Sequence, residues 1–370
     1  PTPGHPERDV ARGIENTSGP LGQGHAFGAG AAIAEKFLEA RLGKEVMQHT
    51  IYIYISDGGI QEEISQGVGR LAGALGLDNI VMFYDSNDIQ LSTECGVVTC
   101  ENTAVKYESW GWKVITIDGN DADEIRRALN EAKAEKEKPT LIIGNTVMGK
   151  GALRADGSSF EHHIGTHGAP LGAEAYQKTI VNLGGNPNEP FVVYPEVKEL
   201  YAKRNEELRE IVAKRRQEEN EWAKNNPQLA AQMKEWFSGN APKVDWSTLT
   251  QKPDGATRVA SAACLGLSAE QVPNMVCSSA DLSNSDRTDG FLNKTREMKR
   301  GNLSGAFLQA GVSELTMACM CIGMYLHGGV IPACGTFFVF SDYMKPAIRM
   351  AALMRVPIKF IWTHDAFRVG

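Results

Sequence analysis

The chain has 370 residues, of which 42% are hydrophobic and 22% are charged, a composition typical of a globular protein with room for two domains. Its formal net charge of −7 argues against a general nucleic-acid-binding surface, so we expect no nucleic-acid partner. No apolar run reaches the roughly 18 residues that a membrane-spanning helix needs, so we also expect no membrane partner.

The cysteines and the two ends indicate where the protein works. The seven cysteines show no paired CxxC spacing, so we interpret them as small buried side chains in a reducing compartment, the cytoplasm. The first residues, PTPGHPERDV, lack the features of a signal or transit peptide.

Because residue 1 is not a methionine and the chain stops just after a strand-like run, we expect it to be part of a longer polypeptide.

The first half of the chain alternates between helix-like and strand-like patterns. Residues 20–42 predict a helix that opens at Gly19-Pro20, and the apolar run 50–56 predicts a buried strand. The patterns that follow predict a helix over 61–76, strands over 79–85 and 113–118, a helix over 121–137 and a strand over 140–147. This alternation is typical of a doubly wound parallel sheet.

The second half begins with two stretches of a different kind. Residues 148–192 are rich in Gly, His and Ser, and a loop of that length is usually functional. The highly charged residues 194–237 predict a solvated helical connector. A second alternation follows, with helices over 257–268, 313–327 and 341–354 and strands over 274–279, 330–337 and 358–364. We therefore predict an α/β fold with two doubly wound parallel-sheet domains, over 1–190 and 253–370, joined by a helical linker over 191–252, the second domain being incomplete.

Polar residues follow two successive strands of the first domain. Ser56-Asp57-Gly58-Gly59 comes directly after a buried strand, where ligands bind in open parallel sheets, and the glycines let backbone amides approach a phosphate closely. Asn87 follows the next strand, thirty positions on (87 − 57 = 30). A carboxylate beside a carboxamide suits a hard cation that bridges to a diphosphate. An Asp-Gly pair after a strand is more often a simple turn, so spacing alone leaves both interpretations open.

The surrounding motifs carry a family resemblance. The segments SDGGIQEE and FYDSNDI resemble the thiamine-diphosphate-binding motif, although Ser56 stands where the family usually has Gly. Eight further segments resemble transketolases and occur in the family's order: GHPE (4–7), TSGPLGQG (17–24), HGAPLG (167–172), SADLSNS (279–285), GVSELTMA (311–318), TFFVFSDY (336–343), IRMAALM (348–354) and THD (363–365). The chain is thus identified as similar to transketolases along essentially its whole length.

The resemblance implies a thiamine diphosphate cofactor held between the two subunits of a homodimer. One subunit would contribute its diphosphate-binding domain and the other its pyrimidine-binding domain. Asp57, Asn87 and the Ile89 carbonyl would bind Mg²⁺ or Ca²⁺, and Gly58 would bind the diphosphate through its backbone. Glu62 would interact across the interface with the catalytic glutamate. Gly19 and Leu21 would pack on the cofactor.

The resemblance assigns the catalytic and pyrimidine-side residues to the second domain. Glu314 matches the family's catalytic glutamate, which bonds a ring nitrogen of the cofactor, and the apolar segment around it predicts that it is buried. Without the family match, a glutamate at a helix start would be the simpler interpretation. Phe337, Phe340 and Tyr343 match an aromatic cage, although such a cluster is more often core. Asp281 matches a polar residue beside the cofactor.

The implied substrates are sugar phosphates. Five residues match the family's substrate positions: His5, His167, Arg258, Ser285 and His364. His167 and His364 also match catalytic positions, and His167 would contact the cofactor as well. An arginine can bind a phosphate with two hydrogen bonds, and histidines can move protons near neutral pH. We interpret His25, His49 and His327 as structural and leave His162 and His163 undecided.

The implied reaction is that of transketolase in the pentose phosphate pathway. It transfers a two-carbon ketol unit from xylulose 5-phosphate to ribose 5-phosphate or erythrose 4-phosphate. The family continues before GHPE and after THD with further substrate residues, so we expect the substrate end of this site to be incomplete. Two alternatives stay open: a related synthase such as dihydroxyacetone synthase, and a non-catalytic or partner-dependent fragment.

Overall fold

A computed structural model describes residues 4–365 of the chain. The first domain contains helices α1 (Gln23–Leu42), α2 (Lys44–Met47), α3 (Asp57–Gln61), α4 (Glu63–Leu75), α5 (Thr103–Ser109), α6 (Ala122–Ala134) and α7 (Ala173–Asn182) and strands β1 (Ile51–Ser56), β2 (Ile80–Ser86), β3 (Lys113–Asp118) and β4 (Thr140–Asn145). Helices α8 (Pro195–Asn225) and α9 (Pro227–Trp236) form the connector. The second domain contains helices α10 (Thr257–Gln271), α11 (Ser283–Asp286), α12 (Asp289–Leu292), α13 (Glu314–His327) and α14 (Ser341–Met354) and strands β5 (Met275–Ser279), β6 (Phe307–Gln309), β7 (Ile331–Phe337) and β8 (Lys359–Thr363).

Each domain is built on a four-stranded parallel sheet. The strand order is β1-β2-β4-β3 in the first sheet and β6-β5-β7-β8 in the second. In the first sheet Ser56 pairs with Asp85, and Asp85 pairs with Gly144, so the carboxyl ends of these strands lie level with one another. The prediction of two parallel-sheet α/β domains is confirmed, and the level strand ends bring the residues that follow β1 and β2 together.

Two helix starts differ from the prediction. Helix α1 begins at Gln23, and Pro20 lies outside it, because Gly22 adopts a left-handed conformation with φ 79° at the N-cap. The predicted helix over 61–76 is wrong at its start, because Glu62 has an extended backbone (ψ 138°) and separates the short helix α3 from α4. The residues after β1 thus form a helical turn of their own, which starts at Asp57.

The sequence patterns missed the four-residue helices α2, α11 and α12 and three further elements, α5, α7 and β6. The predicted loop 148–192 contains α7, of which only Ala175 and Thr179 are buried, so it presents little apolar periodicity. Helix α5 buries a single residue, Tyr107. Strand β6 has three residues and is too short to show an alternating pattern.

A close helix crossing joins the two domains. A Cβ atom at Gly30 of α1 would lie 2.0 Å from the Met320 carbonyl oxygen, and one at Gly323 of α13 would lie 2.0 Å from the Phe27 carbonyl oxygen. Neither position can carry a side chain without moving the backbone opposite. The two helices therefore cross backbone against backbone, inside the core that contains buried side chains of both domains.

The connector is exposed over most of its length. In α8, Trp222 is buried and the remaining residues are largely exposed, as the charged sequence predicts. Within residues 4–365, no helix combines the length and the apolar character needed to cross a bilayer.

Candidate active site

Asp57 is fixed at the carboxyl end of β1. Its side chain is 2% exposed. The Tyr84 hydroxyl donates to one carboxylate oxygen at 2.6 Å, and the Asn87 backbone N–H donates to the other at 3.0 Å. Burial and the bond to Asp57 raise the pKa of Tyr84, so this hydroxyl stays a donor. Tyr84 was missed by the sequence reasoning because it lies within an apolar strand.

The turn after β2 places more possible metal-ligand atoms around Asp57 than the sequence predicts. The Asn87 side-chain oxygen accepts from the Ile89 N–H at 3.1 Å, which orders the turn that carries the Ile89 carbonyl. Ligand atoms of Asp57, Asp88 and Cys95 all lie within 4.8 Å of one another. Asp88 reaches this position because its backbone is left-handed, with φ 63°. An adjoining Asp-rich turn is the signal that could have indicated Asp88, whereas Cys95 has none.

A glycine-rich surface adjoins this carboxylate. Gly58 has no side chain, and a Cβ atom there would lie 3.3 Å from Leu21 Cδ1. A Cβ atom at Gly22 would lie 3.0 Å from Glu62 Cβ, and the His5 ring lies 3.3 Å from the corresponding position at Gly19. The structure therefore brings the predicted residues of three separate segments to one place. An oxygen-rich donor set beside exposed backbone fits a hard cation and a diphosphate.

A cavity extends from this surface along β1 toward the connector. Its volume is about 1460 Å³, and its lining includes His5, Gly19, Leu21 and Gly59. Among the residues predicted to contact the cofactor, those of the second domain do not contribute to its described lining. Of the predicted cofactor residues in the first domain, Gly19 and Leu21 line the cavity, whereas Gly58, Glu62 and Asn87 do not.

His167 lies in a glycine-containing turn. It follows a short 3-10 helix, Ile164–Thr166, and is exposed. Its backbone N–H donates to the Ile164 carbonyl at 3.0 Å. In the part of the chain that the structure describes, its ring makes no hydrogen bond to another predicted site residue, so its role stays a prediction.

Glu314 is the first residue of α13 and is buried, with 8% exposure. Its burial was predicted from the apolar segment that follows it. Asp281, after β5, is exposed and left-handed with φ 62°, and the Ser285 hydroxyl donates to the Asn284 side chain at 3.1 Å.

Asp286 is a fully buried carboxylate that the sequence reasoning missed. It accepts from the Ser279 and Thr288 hydroxyls, each at 2.7 Å. Burial raises its pKa. These bonds hold the loop that carries Asp281 and Ser285 against the end of β5.

An aromatic cluster and a histidine–arginine pair lie at the carboxyl ends of β7 and β8. The Phe337 and Phe340 rings are stacked with centroids 5.6 Å apart, and Tyr343 follows at 6.1 Å from Phe340. The His364 ring lies 3.8 Å from that of Phe337. Its Nε2 lies 2.6 Å from Arg258 Nη1 and must accept, because a guanidinium only donates. The structure thus brings Phe337, His364 and Arg258 together.

The fold and the site define a class of protein. The first parallel-sheet domain presents oxygen ligands beside a glycine-rich surface, and the second presents a buried carboxylate and an aromatic cluster, features that suit a cofactor-dependent enzyme. Residues 1–242 match the family described as transketolase, thiamine diphosphate binding domain, and residues 254–370 match transketolase, pyrimidine binding domain. The chain belongs to the transketolase family.

Known relatives and solved structures agree with this assignment. The chain is 38% identical to the transketolase of Halalkalibacterium halodurans and 39% identical to that of Geobacillus stearothermophilus, with all of the chain aligned. The transketolase structure from Leishmania mexicana superposes with a TM-score of 0.93 at 32% identity, covering 100% of this chain and 55% of that one. A Pichia stipitis transketolase in complex with sedoheptulose 7-phosphate gives 0.88 at 30% identity, covering 96% and 53%. The chain spans 55% of the length of the two bacterial relatives.

Proposed function

We propose that this chain supplies both cofactor-binding domains of a transketolase. The enzyme transfers a two-carbon ketol unit from xylulose 5-phosphate to ribose 5-phosphate or erythrose 4-phosphate, in the pentose phosphate pathway and in the cytoplasm. The observation that carries the proposal is the buried Asp57 carboxylate, held beside Asn87 at the level ends of two parallel strands. Family membership and the buried Glu314 support it.

The first domain would hold the metal and the diphosphate. Asp57, the Asn87 side chain and the Ile89 carbonyl offer oxygen donors of the kind that Mg²⁺ and Ca²⁺ prefer. Tyr84 fixes the Asp57 carboxylate in one orientation, as outer hydrogen bonds do at metal sites. The backbone of Gly58 is open to a phosphate, with Leu21 and Gly19 alongside. Bound thiamine diphosphate supplies the carbanion chemistry that the carbon–carbon bond cleavage requires.

The second domain would orient the cofactor ring and bind substrate. Glu314 would hold a proton at a ring nitrogen of the cofactor. Because Glu314 is buried, water is largely excluded from it. The aromatic cluster of Phe337, Phe340 and Tyr343 offers ring faces for stacking. Following the family resemblance, we assign these residues to the site of the neighbouring subunit in a homodimer.

Sugar phosphate binding would involve polar residues of both domains. Arg258 supplies a cation for the phosphate, and His364, which accepts from Arg258, can exchange protons with a sugar hydroxyl. His5, His167, Ser285 and Asp281 would complete the polar surface.

The direct test is an assay of the full-length polypeptide that carries this chain. With xylulose 5-phosphate and ribose 5-phosphate, thiamine diphosphate and Mg²⁺, we expect sedoheptulose 7-phosphate. Absence of that product would contradict a transketolase and favour a related synthase. Calorimetry of this chain with thiamine diphosphate and Mg²⁺ tests cofactor binding separately. Absence of binding heat at saturating Mg²⁺ would contradict the cofactor assignment for the isolated chain.

A further inference from the structure

Arg70 lies at the point where the first domain contacts the start of α13. We propose that Arg70 is a positioning residue for Glu314, holding the loop from which that carboxylate projects. The inference rests on the proposed function, in which Glu314 is the catalytic carboxylate. It concerns a side chain that would touch neither cofactor nor substrate.

The guanidinium fixes both ends of the loop before Glu314. Arg70 Nη2 donates to the Ala310 carbonyl at 3.2 Å and to the Ser313 hydroxyl at 3.0 Å. Between them Gly311 is left-handed, with φ 69°, and a Cβ atom there would lie 3.4 Å from Arg70 Nη1. The loop therefore turns directly against the guanidinium plane, and one nitrogen joins two residues that lie three positions apart.

A second contact fixes the residues after Glu314. The Thr316 hydroxyl donates to the Ile64 carbonyl at 3.5 Å, and a Cβ atom at Gly67 would lie 2.3 Å from that hydroxyl oxygen. Ile64, Gly67 and Arg70 are three positions apart, so they lie along one face of α4. Glu314 thus projects from a segment that α4 holds on both sides.

The Ser313 hydroxyl bonds Arg70 rather than the backbone of α13. Ser313 occupies the N-cap of α13, where serine normally bonds a backbone N–H of the first turn, yet it makes no such side-chain bond. Its hydroxyl accepts from Arg70 instead. Loss of the guanidinium would release Ser313 to rotate and would leave the glycine-containing loop without its anchor.

The expected consequence is a selective loss of turnover. A shift of about 1 Å in a catalytic group can slow a reaction on the order of 100-fold, whereas contacts made by the metal and diphosphate site are unaffected. In the full-length enzyme we expect Arg70→Met to lower kcat about 10-fold or more while KM changes less than about 3-fold. Calorimetric affinity for thiamine diphosphate and Mg²⁺ should equal that of the wild type.

Three further variants make the test specific. Arg70→Lys retains a donor at this position and should recover part of kcat. Ser313→Ala removes one of the two bonds and should cost less than Arg70→Met, and the double variant should be no slower than Arg70→Met alone. Arg126→Met, on α6, removes an exposed arginine paired with Asp123 and should leave kcat unchanged.

Hydrogen exchange measured by mass spectrometry gives a readout independent of turnover. Peptides covering 310–316 should exchange faster in Arg70→Met, with the remainder of the chain unchanged. Faster exchange with unchanged kcat would overturn the positioning role, as would unchanged exchange or an equal loss of cofactor affinity. If the wild-type enzyme itself lacked transketolase activity, the proposed function would fail, while the exchange result would still report whether Arg70 holds the loop.

Discussion

At the scale of single residues, the site depends on charged and polar groups that the fold holds in one orientation. Asp57 is buried and accepts a hydrogen bond on each carboxylate oxygen, which fixes the orientation of the carboxylate. A bound metal would complete this arrangement.

Replacing Asp57 should remove metal-dependent cofactor binding. We expect Asp57→Ala to weaken the binding of thiamine diphosphate in the presence of Mg²⁺ about 100-fold or more, because a ligand is lost and Tyr84 has no acceptor. Calorimetry of the purified chain measures this. Asp118→Ala is the matched control, because Asp118 also ends a strand of the same sheet but is exposed. Equal affinity in Asp57→Ala and the wild type would refute the metal assignment.

His25 should make the chain less stable in acid. Burial lowers its pKa to about 3, and in the described part of the chain neither ring nitrogen has a hydrogen-bond partner. Because the folded pKa lies below the unfolded value of 6.5, protons bind the unfolded chain preferentially, and stability falls as the pH drops from 6.5 toward 3. The contribution amounts to about 2 kcal/mol between pH 7 and pH 5.

Urea unfolding at the two pH values, compared with His25→Leu, isolates this contribution. The comparison is needed because Glu35, whose pKa burial raises to about 7, titrates over the same range with the opposite sign. The variant should lose less stability than the wild type on acidification. An identical loss in both proteins would show that His25 stays neutral in the unfolded state or charges in the folded one.

At the scale of elements, the sequence predicted most of the sheet and helix framework. Apolar runs such as 50–56 and 79–85 are long enough to identify buried strands. The Asp-Gly and Asn residues at their ends indicated a candidate site, but only the family resemblance favoured it over a simple turn. Tyr84 and Asp286 were missed because a hydroxyl or carboxylate inside a buried segment gives no periodic signal. The hydrogen-bond partners of such a group are fixed only when the chain folds. The break at Glu62 was missed because the residues on both sides favour helix.

The crossing of α1 and α13 makes a prediction about stability. Gly30→Ala should lower the free energy of unfolding by about 3 kcal/mol, because the new methyl group would collide with the Met320 carbonyl. Gly24→Ala, on the same helix, meets nothing within 4 Å and should raise stability slightly, by about 0.5 kcal/mol. Chemical unfolding of the two variants measures the difference. Similar values for both would contradict the close crossing.

At the scale of the whole molecule, the proposed site needs two chains. This can be tested by combining two inactive full-length variants, Asp57→Ala and Glu314→Gln, through co-expression. In a mixed dimer, one site would receive Asp57 from one subunit and Glu314 from the other and would be intact. With random pairing, half of the dimers are mixed and each has one intact site of two, so we expect about one quarter of wild-type activity. Activity no higher than that of either variant alone would show that both residues serve the same chain's site.

The crossing of α1 and α13 also limits which domains can be combined in a chimeric protein. Gly30 and Gly323 each receive a backbone carbonyl from the opposite helix, so the fit is reciprocal and depends on both helices at once. A chimera that took its pyrimidine-side half from another protein would need a glycine in register with Gly323. A donor half with alanine there would be excluded by one methyl group, however well its remaining surface matched.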